Sequence, residues 1–145
     1  MYNVIIVDDE FKAAKLLETY INRFVEGFRV IKIFEDGADV VEYLNYHDDI
    51  DVIITDIKMR KMSGVELAKY IHYTMTDIKV ILVSAYTEFE YAQDAIKYGV
   101  FGYLLKVVDI KELTEMMKNL ENVLNREREP SAEDIDLVRE CFFTL

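Results

Sequence analysis

The sequence contains few of the residues that mark secreted, fibrous or low-complexity proteins. Its 145 residues include one cysteine, one proline, five glycines and no tryptophan. A lone cysteine cannot form a disulfide within the chain, which excludes a disulfide-stapled fold and favours a reducing compartment. The scarcity of glycine and proline excludes a collagen-like or linker-rich chain. The length and composition are those of one globular domain, with at most a short appendage.

Long apolar runs and an excess of basic residues are also missing. Runs such as Val4–Val7 and Val80–Val83 are far shorter than the ~18 residues of a membrane span, and residues 1–3 lack the basic start of a signal peptide. We therefore expect a cytoplasmic protein without membrane contact. Lys and Arg total 17 against 28 Asp and Glu, a net charge of −11. Because DNA binding requires basic side chains that neutralise phosphates, this chain alone is not expected to bind nucleic acid.

Two kinds of apolar pattern alternate along the chain. Short continuous runs rich in β-branched residues are typical of strands that are buried on both faces, as in a parallel sheet. The predicted strands are Tyr2–Val7, Arg29–Phe34, Asp51–Thr55, Ile78–Val83 and Phe101–Leu105. Between them, apolar residues recur at spacings of three and four, which predicts amphipathic helices. Repeated strand–helix units imply right-handed crossovers and one doubly wound α/β sheet.

The last part of the chain has a different pattern. The only proline, Pro130, is expected to end the fifth helix, and Ser131 with Asp134 resembles a capping box. An apolar stripe then predicts a short C-terminal helix. We therefore divide the chain into a domain over 1–128 and a linker with a short helix over 129–145. This apolar tail is expected to pack on the domain, pair with a second copy, or begin a missing output region.

Polar residues follow four of the five predicted strands. The first strand ends in Asp8-Asp9-Glu10, the third in Asp56, the fourth in Ser84 and the fifth in Lys106. Each residue alone has an ordinary explanation, such as helix capping by Asp or Ser. Ligands of open parallel sheets, however, bind beyond the carboxyl ends of the strands. The pattern therefore predicts that these side chains line one site.

The predicted site has the chemistry of phosphoryl transfer. Neighbouring carboxylates repel each other at neutral pH unless positive charge lies between them, and Mg²⁺ prefers such oxygen ligands. Lys106 and Ser84 could hold the remaining oxygens of a phosphoryl group. Asp56, at the centre, is the natural nucleophile, because an aspartate can carry a phosphoryl group as an acyl phosphate.

Four segments resemble the receiver domain of two-component response regulators. They are VIIVDDE at 4–10, VIITDIKMRKMSG at 52–64, VILVSAY at 80–86 and YLLK at 103–106. The stretch 85–106 resembles the YesN-like subgroup, whose receivers normally precede an AraC-type DNA-binding domain. The resemblance implies a flavodoxin-like five-stranded parallel sheet with strand order 2-1-3-4-5, five helices and the additional C-terminal helix.

The resemblance also implies a phosphorylation site. Asp8, Asp9 and Asp56 would bind Mg²⁺ together with the backbone carbonyl of Lys58. Asp56 would be the phosphoacceptor and would take its phosphoryl group from a sensor histidine kinase. The chain would thus be a switch that catalyses only its own phosphorylation and dephosphorylation, and not a turnover enzyme.

The remaining implied roles concern the switch and its output. Ser84 and Lys106 would contact the phosphoryl oxygens, and Tyr103 would be the aromatic residue that turns inward when Ser84 moves. The surface formed by the fourth helix, fifth strand and fifth helix would then change and pair with a second copy, as a homodimer. The expected output is transcription regulation, with DNA bound only through a missing output domain.

Two residues depart from the family pattern. The lysine at position 106 is normally followed by a proline in a cis peptide, whereas this chain has Val107. A cis bond before a residue other than proline costs about 2.5–4 kcal/mol, so we expect a trans bond and a less well aimed Lys106. Arg60 stands where the family commonly has proline, and we expect a solvated surface side chain there.

Two alternatives remain open at this point. The first is a degenerate receiver that is not phosphorylated and acts as an interaction domain, a reading supported mainly by Val107. The second is an enzyme on a similar sheet, either an aspartyl phosphatase or a flavin protein. Haloacid-type phosphatases have an Asp-x-Asp pattern, which differs from Asp8-Asp9-Glu10. The same acidic residues would repel the phosphate of a flavin.

Overall fold

The computed structural model describes residues 1–75, 77–85 and 89–128, in which strands and helices alternate. The linker and C-terminal helix predicted over 129–145 lie outside the described residues. No helix in the described part of the chain is long and apolar enough to cross a bilayer. The strands are β1 (Tyr2–Val7), β2 (Phe28–Phe34), β3 (Val52–Asp56), β4 (Lys79–Ser84) and β5 (Gly102–Leu105). The helices are α1 (Phe11–Phe24), α2 (Gly37–Leu44), α3 (Gly64–Thr74), α4 (Phe89–Lys97) and α5 (Ile110–Arg128).

The five strands form one parallel sheet in the order β2-β1-β3-β4-β5. This order confirms the flavodoxin-like, doubly wound fold that the sequence predicts. The chain moves outward from β1 to β2 and then returns to β3 on the other side of β1. The carboxyl ends of β1 and β3 therefore meet at the point where the strand order reverses, which is where such sheets bind ligands.

The helices cover both faces of the sheet. Alternate strand residues, among them Val4 and Ile6, pack against α1 and α5. The residues between them, among them Ile5 and Val7, pack against α2, α3 and α4. These four side chains of β1 are at most 1% exposed. Burial on both faces explains why the strands read as continuous apolar runs and not as an alternating pattern.

Polar side chains begin two of the helices. The Ser63 side chain accepts a hydrogen bond from the Glu66 backbone N–H, and the Glu66 side chain accepts one from the Ser63 N–H. This reciprocal capping box fixes the start of α3. At α2, the Asp36 side chain accepts a hydrogen bond from the Ala38 N–H. Both helices start close to the carboxyl edge of the sheet, so their caps also shape the loops around the candidate site.

Candidate functional site

Three carboxylates meet at the carboxyl edge of the sheet. Asp8 and Asp9 follow β1, and Asp56 is the last residue of β3. One oxygen from each side chain lies within 4.8 Å of the other two. Asp8 is buried, Asp56 is half-buried and Asp9 is exposed. The structure thus brings together the three side chains that were predicted as metal ligands.

Lys106 reaches this cluster from the end of β5, two strands away from β3. Its Nζ lies 2.8 Å from Oδ2 of Asp8 and 3.5 Å from Oδ2 of Asp56. Its backbone N–H donates a hydrogen bond of 2.9 Å to the carbonyl oxygen of Ser84. The ammonium is therefore aimed at the carboxylates, and the prediction that it would be poorly aimed is wrong.

The prediction for the peptide bond after Lys106 is also wrong. The bond between Lys106 and Val107 is cis. The trans prediction used the cost of a cis bond in an isolated dipeptide. That cost does not include the tertiary contacts of the residues on either side of the bond. In the fold, Lys106 is held at its backbone by Ser84 and at its ammonium by Asp8.

The charges in the cluster do not balance. Burial, followed by the nearby charge of Asp8, raises the pKa of Asp56 above its ordinary value, although Lys106 acts in the opposite direction. Burial alone would lower the pKa of Lys106, but the hydrogen bond to Asp8 and the charge of Asp56 outweigh it and raise that pKa. The Lys106 ammonium thus contacts two of the three carboxylates, Asp8 and Asp56, and an additional cation would relieve the repulsion among all three.

The donor set fits a magnesium ion. Mg²⁺ prefers carboxylate and carbonyl oxygens and keeps several waters, so it needs few protein ligands. Asp8, Asp9 and Asp56 supply the carboxylates, and the exposed side of Asp9 leaves room for water. Lys58, the fourth predicted ligand through its carbonyl, lies two residues beyond Asp56 in the loop that leads to α3.

Ser84 and Tyr103 lie on neighbouring strands. Ser84 is the last residue of β4, next to Leu105 of β5 in the sheet, and is fully buried. Tyr103 is a residue of β5, next to Leu82, and is half-buried against the side of the sheet that carries α2, α3 and α4. Arg60 is exposed, in agreement with the expectation for a solvated arginine.

Sequence reasoning missed Asp36, which organises the loop after Asp56. Its Oδ1 accepts hydrogen bonds from the N–H groups of Ala38 and Met62, and its Oδ2 accepts one from Lys61, at 2.8 to 2.9 Å. Burial acts to raise the pKa of Asp36, but these three hydrogen bonds outweigh it and lower the pKa. Its position shortly after β2, where the other strands also carry polar residues, was the available signal.

Gly64 also positions the phosphoacceptor candidate. Its N–H donates a 2.8 Å hydrogen bond to the carbonyl oxygen of Ile57. A Cβ at this position would lie 2.1 Å from the backbone oxygen of Asp56. Only glycine allows α3 to begin so close to the end of β3. The start of α3 therefore packs directly against the backbone of Asp56.

Comparison with known proteins identifies the family. A family model described as the response regulator receiver domain matches residues 4–118. The chain belongs to this family. The transcriptional regulatory protein YesN of Bacillus subtilis is 31% identical over 127 residues, a match that covers 88% of this chain and 34% of YesN. The receiver therefore spans about a third of the length of YesN, and at most 62% of the next curated regulators that it matches.

Solved receiver structures share the fold. The response regulatory domain of MrkE from Klebsiella pneumoniae superimposes with a TM-score of 0.79 at 29% identity, covering 86% of this receiver and 98% of that chain. The CheX–CheY–BeF3–Mg²⁺ complex from Borrelia burgdorferi matches with a TM-score of 0.73 at 28% identity, over 82% of this chain and 88% of that one.

Proposed function

We propose that this receiver accepts a phosphoryl group on Asp56 from the phosphohistidine of a sensor histidine kinase, in a Mg²⁺-dependent reaction. The observation that carries the proposal is the position of the Asp56 carboxylate. It lies 3.5 Å from the Lys106 ammonium, and one of its oxygens lies within 4.8 Å of one oxygen each of Asp8 and Asp9. A nucleophile, a cation and a metal-binding group thus meet at one point. The related CheY complex contains Mg²⁺ and BeF3.

The residues of the chain divide the work of the transfer. A carboxylate oxygen of Asp56 forms the new P–O bond as the P–N bond of the donor breaks, and the electron pair stays on the imidazole nitrogen. The Lys106 ammonium neutralises charge on the transferring oxygens, and the Ser84 hydroxyl contacts another of them. Mg²⁺, held by Asp8, Asp9, Asp56 and the carbonyl of Lys58, would supply further charge neutralisation.

Phosphorylation would then change a surface of the domain. Ser84 moves toward the phosphoryl group, and Tyr103, on the adjacent strand β5, turns inward. This change biases the surface of α4, β5 and α5 between two states, which favours pairing with a second copy. The receiver would act in the cytoplasm, end at residue 128, and control transcription through an output region. Such a region would also supply the DNA contact, because the acidic receiver is unsuited to it.

Phosphate incorporation tests the proposal directly. We would incubate the protein with Mg²⁺ and a small phosphodonor, and measure the added mass by intact mass spectrometry. We expect one phosphoryl group on the wild type, none on Asp56→Asn, and one on Asp77→Asn, which changes an exposed aspartate before β4. Labelling of Asp56→Asn to the wild-type level would refute the assignment of Asp56.

The same experiment separates a degenerate, unphosphorylated receiver from a switch. That alternative rested on a misaimed Lys106, and the 2.8 Å contact with Asp8 removes this argument. A folded wild type that takes up no phosphoryl group from any donor would favour an interaction domain.

A further inference from the structure

An apolar cavity of about 310 Å³ opens beside the phosphoacceptor candidate. Its walls come from α1, from the core side of the sheet and from the loop after β5. Asp8, Glu10, Asp56 and Lys106 form its charged end, in which Lys106 is the cation. The other walls are mainly aliphatic and aromatic, with Ala13, Leu16, Tyr20, Ile54, Val83 and Val108 among them.

The placement of the cavity suggests what it binds. Any phosphodonor consists of a phosphoryl group, which must meet Asp56, and a leaving group, which must lie nearby. The volume falls in the range of small-ligand pockets, about 300–1,000 Å³. An apolar leaving group attached to the phosphoryl group would lie among the aliphatic walls, while the anionic phosphoryl end would meet Lys106.

We propose that this cavity is a leaving-group subsite, which lets Asp56 take phosphate from acyl phosphates with a bulky apolar acyl group in preference to acetyl phosphate. The inference rests on the proposed phosphoacceptor function and adds a substrate class to it. Benzoyl phosphate is the probe that we would use for this class.

The reaction balances without another reactant. An Asp56 carboxylate oxygen forms a P–O bond, and the P–O bond to the acyl group breaks. The electron pair stays on the acyl oxygen, so the leaving group departs as benzoate, and no proton or oxidant is consumed. Because benzoate keeps its apolar ring in the cavity until it dissociates, the preference originates in contacts that acetate cannot make.

The size of the effect follows from the pocket. A single methylene group in an apolar pocket changes specificity by about 10- to 200-fold. The cavity is open at one side, so we expect the lower part of this range, roughly 10-fold, for the aryl ring. Intrinsic reactivity also differs between donors, and the test must remove that difference.

The test compares the two donors on three proteins. Ala13→Leu places a larger side chain in the cavity from α1, and Thr19→Leu adds similar bulk at an exposed position of the same helix. For each protein we would measure kcat/KM for phosphorylation with benzoyl phosphate and with acetyl phosphate, in the presence of Mg²⁺. The ratio of the two values cancels both donor reactivity and any loss of active protein when variants are compared.

We expect the benzoyl-to-acetyl ratio to fall about 10-fold in Ala13→Leu and to stay within about twofold of the wild type in Thr19→Leu. An unchanged ratio in Ala13→Leu would overturn the subsite while leaving the phosphoacceptor function intact. The same conclusion would follow if acetyl phosphate labelled the wild type and benzoyl phosphate did not. No labelling of folded wild type with either donor would overturn both proposals.

Discussion

The Lys106 ammonium lies closer to Asp8 than to Asp56, at 2.8 Å against 3.5 Å. Asp8 is a proposed metal ligand, and Asp56 is the proposed phosphoacceptor. Lys106 therefore provides the positive charge that the cluster of carboxylates requires when no other cation is bound. A cation that enters the cluster must either share the Asp8 carboxylate with Lys106 or displace the Lys106 ammonium from it.

Replacement of Lys106 should tighten magnesium binding. Lys106→Met removes a positive charge beside the site and frees Asp8, so we expect the Kd for Mg²⁺ to fall about 5- to 10-fold. Isothermal titration calorimetry at pH 7 measures this constant. Lys79→Met is the matched control, because its side chain is 21% exposed against 20% for Lys106 and pairs with Glu127. Equal affinities in the wild type and Lys106→Met would contradict the competition.

Neutralising Asp56 should stabilise the metal-free protein. The pKa of Asp56 is raised in the folded state, so ionisation of this group opposes folding at neutral pH. Asp56→Asn should therefore raise the free energy of unfolding at pH 7 by about 1 kcal/mol, or roughly 3–5 °C in Tm. The gain should vanish below the ordinary aspartate pKa of about 3.9, where both states of the wild type are protonated.

Urea denaturation with EDTA at pH 7 and at low pH checks this expectation. Asp51→Asn is the control, because its side chain is 14% exposed against 13% for Asp56 and forms an ion pair with Arg128. We expect Asp51→Asn to lose stability at pH 7. If Asp56→Asn also lost stability at pH 7, the prediction that ionised Asp56 destabilises the metal-free fold would be wrong.

Asp36 should act in the opposite direction. Its pKa is lowered in the folded state, so its contribution to stability is complete above the unfolded pKa of about 3.9 and is lost as the pH falls through the folded value. Asp36→Asn should cost about 1–2 kcal/mol at pH 7, because the charge that strengthens three hydrogen bonds is removed. The difference from the wild type should shrink as the pH drops below 4. Thermal melts across this pH range measure the stability difference, and Asp48→Asn, a change at an exposed aspartate, is the control. A difference between Asp36→Asn and the wild type that stayed constant with pH would show that the charge of Asp36 does not stabilise the fold.

Gly64→Ala should displace the backbone of the proposed phosphoacceptor, Asp56. The new methyl group would meet the backbone oxygen of Asp56 at 2.1 Å, and this backbone atom cannot rotate away as a side chain could. We expect a loss of about 1–3 kcal/mol, the usual cost of overpacking, together with slower phosphate uptake. Lys69→Ala, an exposed change in the same helix, should alter neither quantity. Wild-type uptake in Gly64→Ala would show that the loop adapts.

Much of the fold was predictable because its determinants are local. A continuous apolar run such as Val4–Val7 is short and rich in β-branched residues, which favours a strand covered on both faces. Parallel strands all point the same way, so residues that follow them, such as Asp8, Asp56 and Lys106, must gather at one edge. The strand order came from the family resemblance, and residues 129–145 stay a prediction.

The sequence by itself determined which chemical groups stand at the carboxyl edge, because strand direction and residue position are properties of the chain. Only the tertiary structure decided how these groups pair. The contact of Lys106 with Asp8 joins residues 98 positions apart, and the hydrogen bonds of Asp36 to Lys61 and Met62 join separate loops. The cis bond after Lys106 and the cavity beside Asp56 were likewise decided by the tertiary structure. Such features depend on distances that exist only after the sheet and helices have packed together.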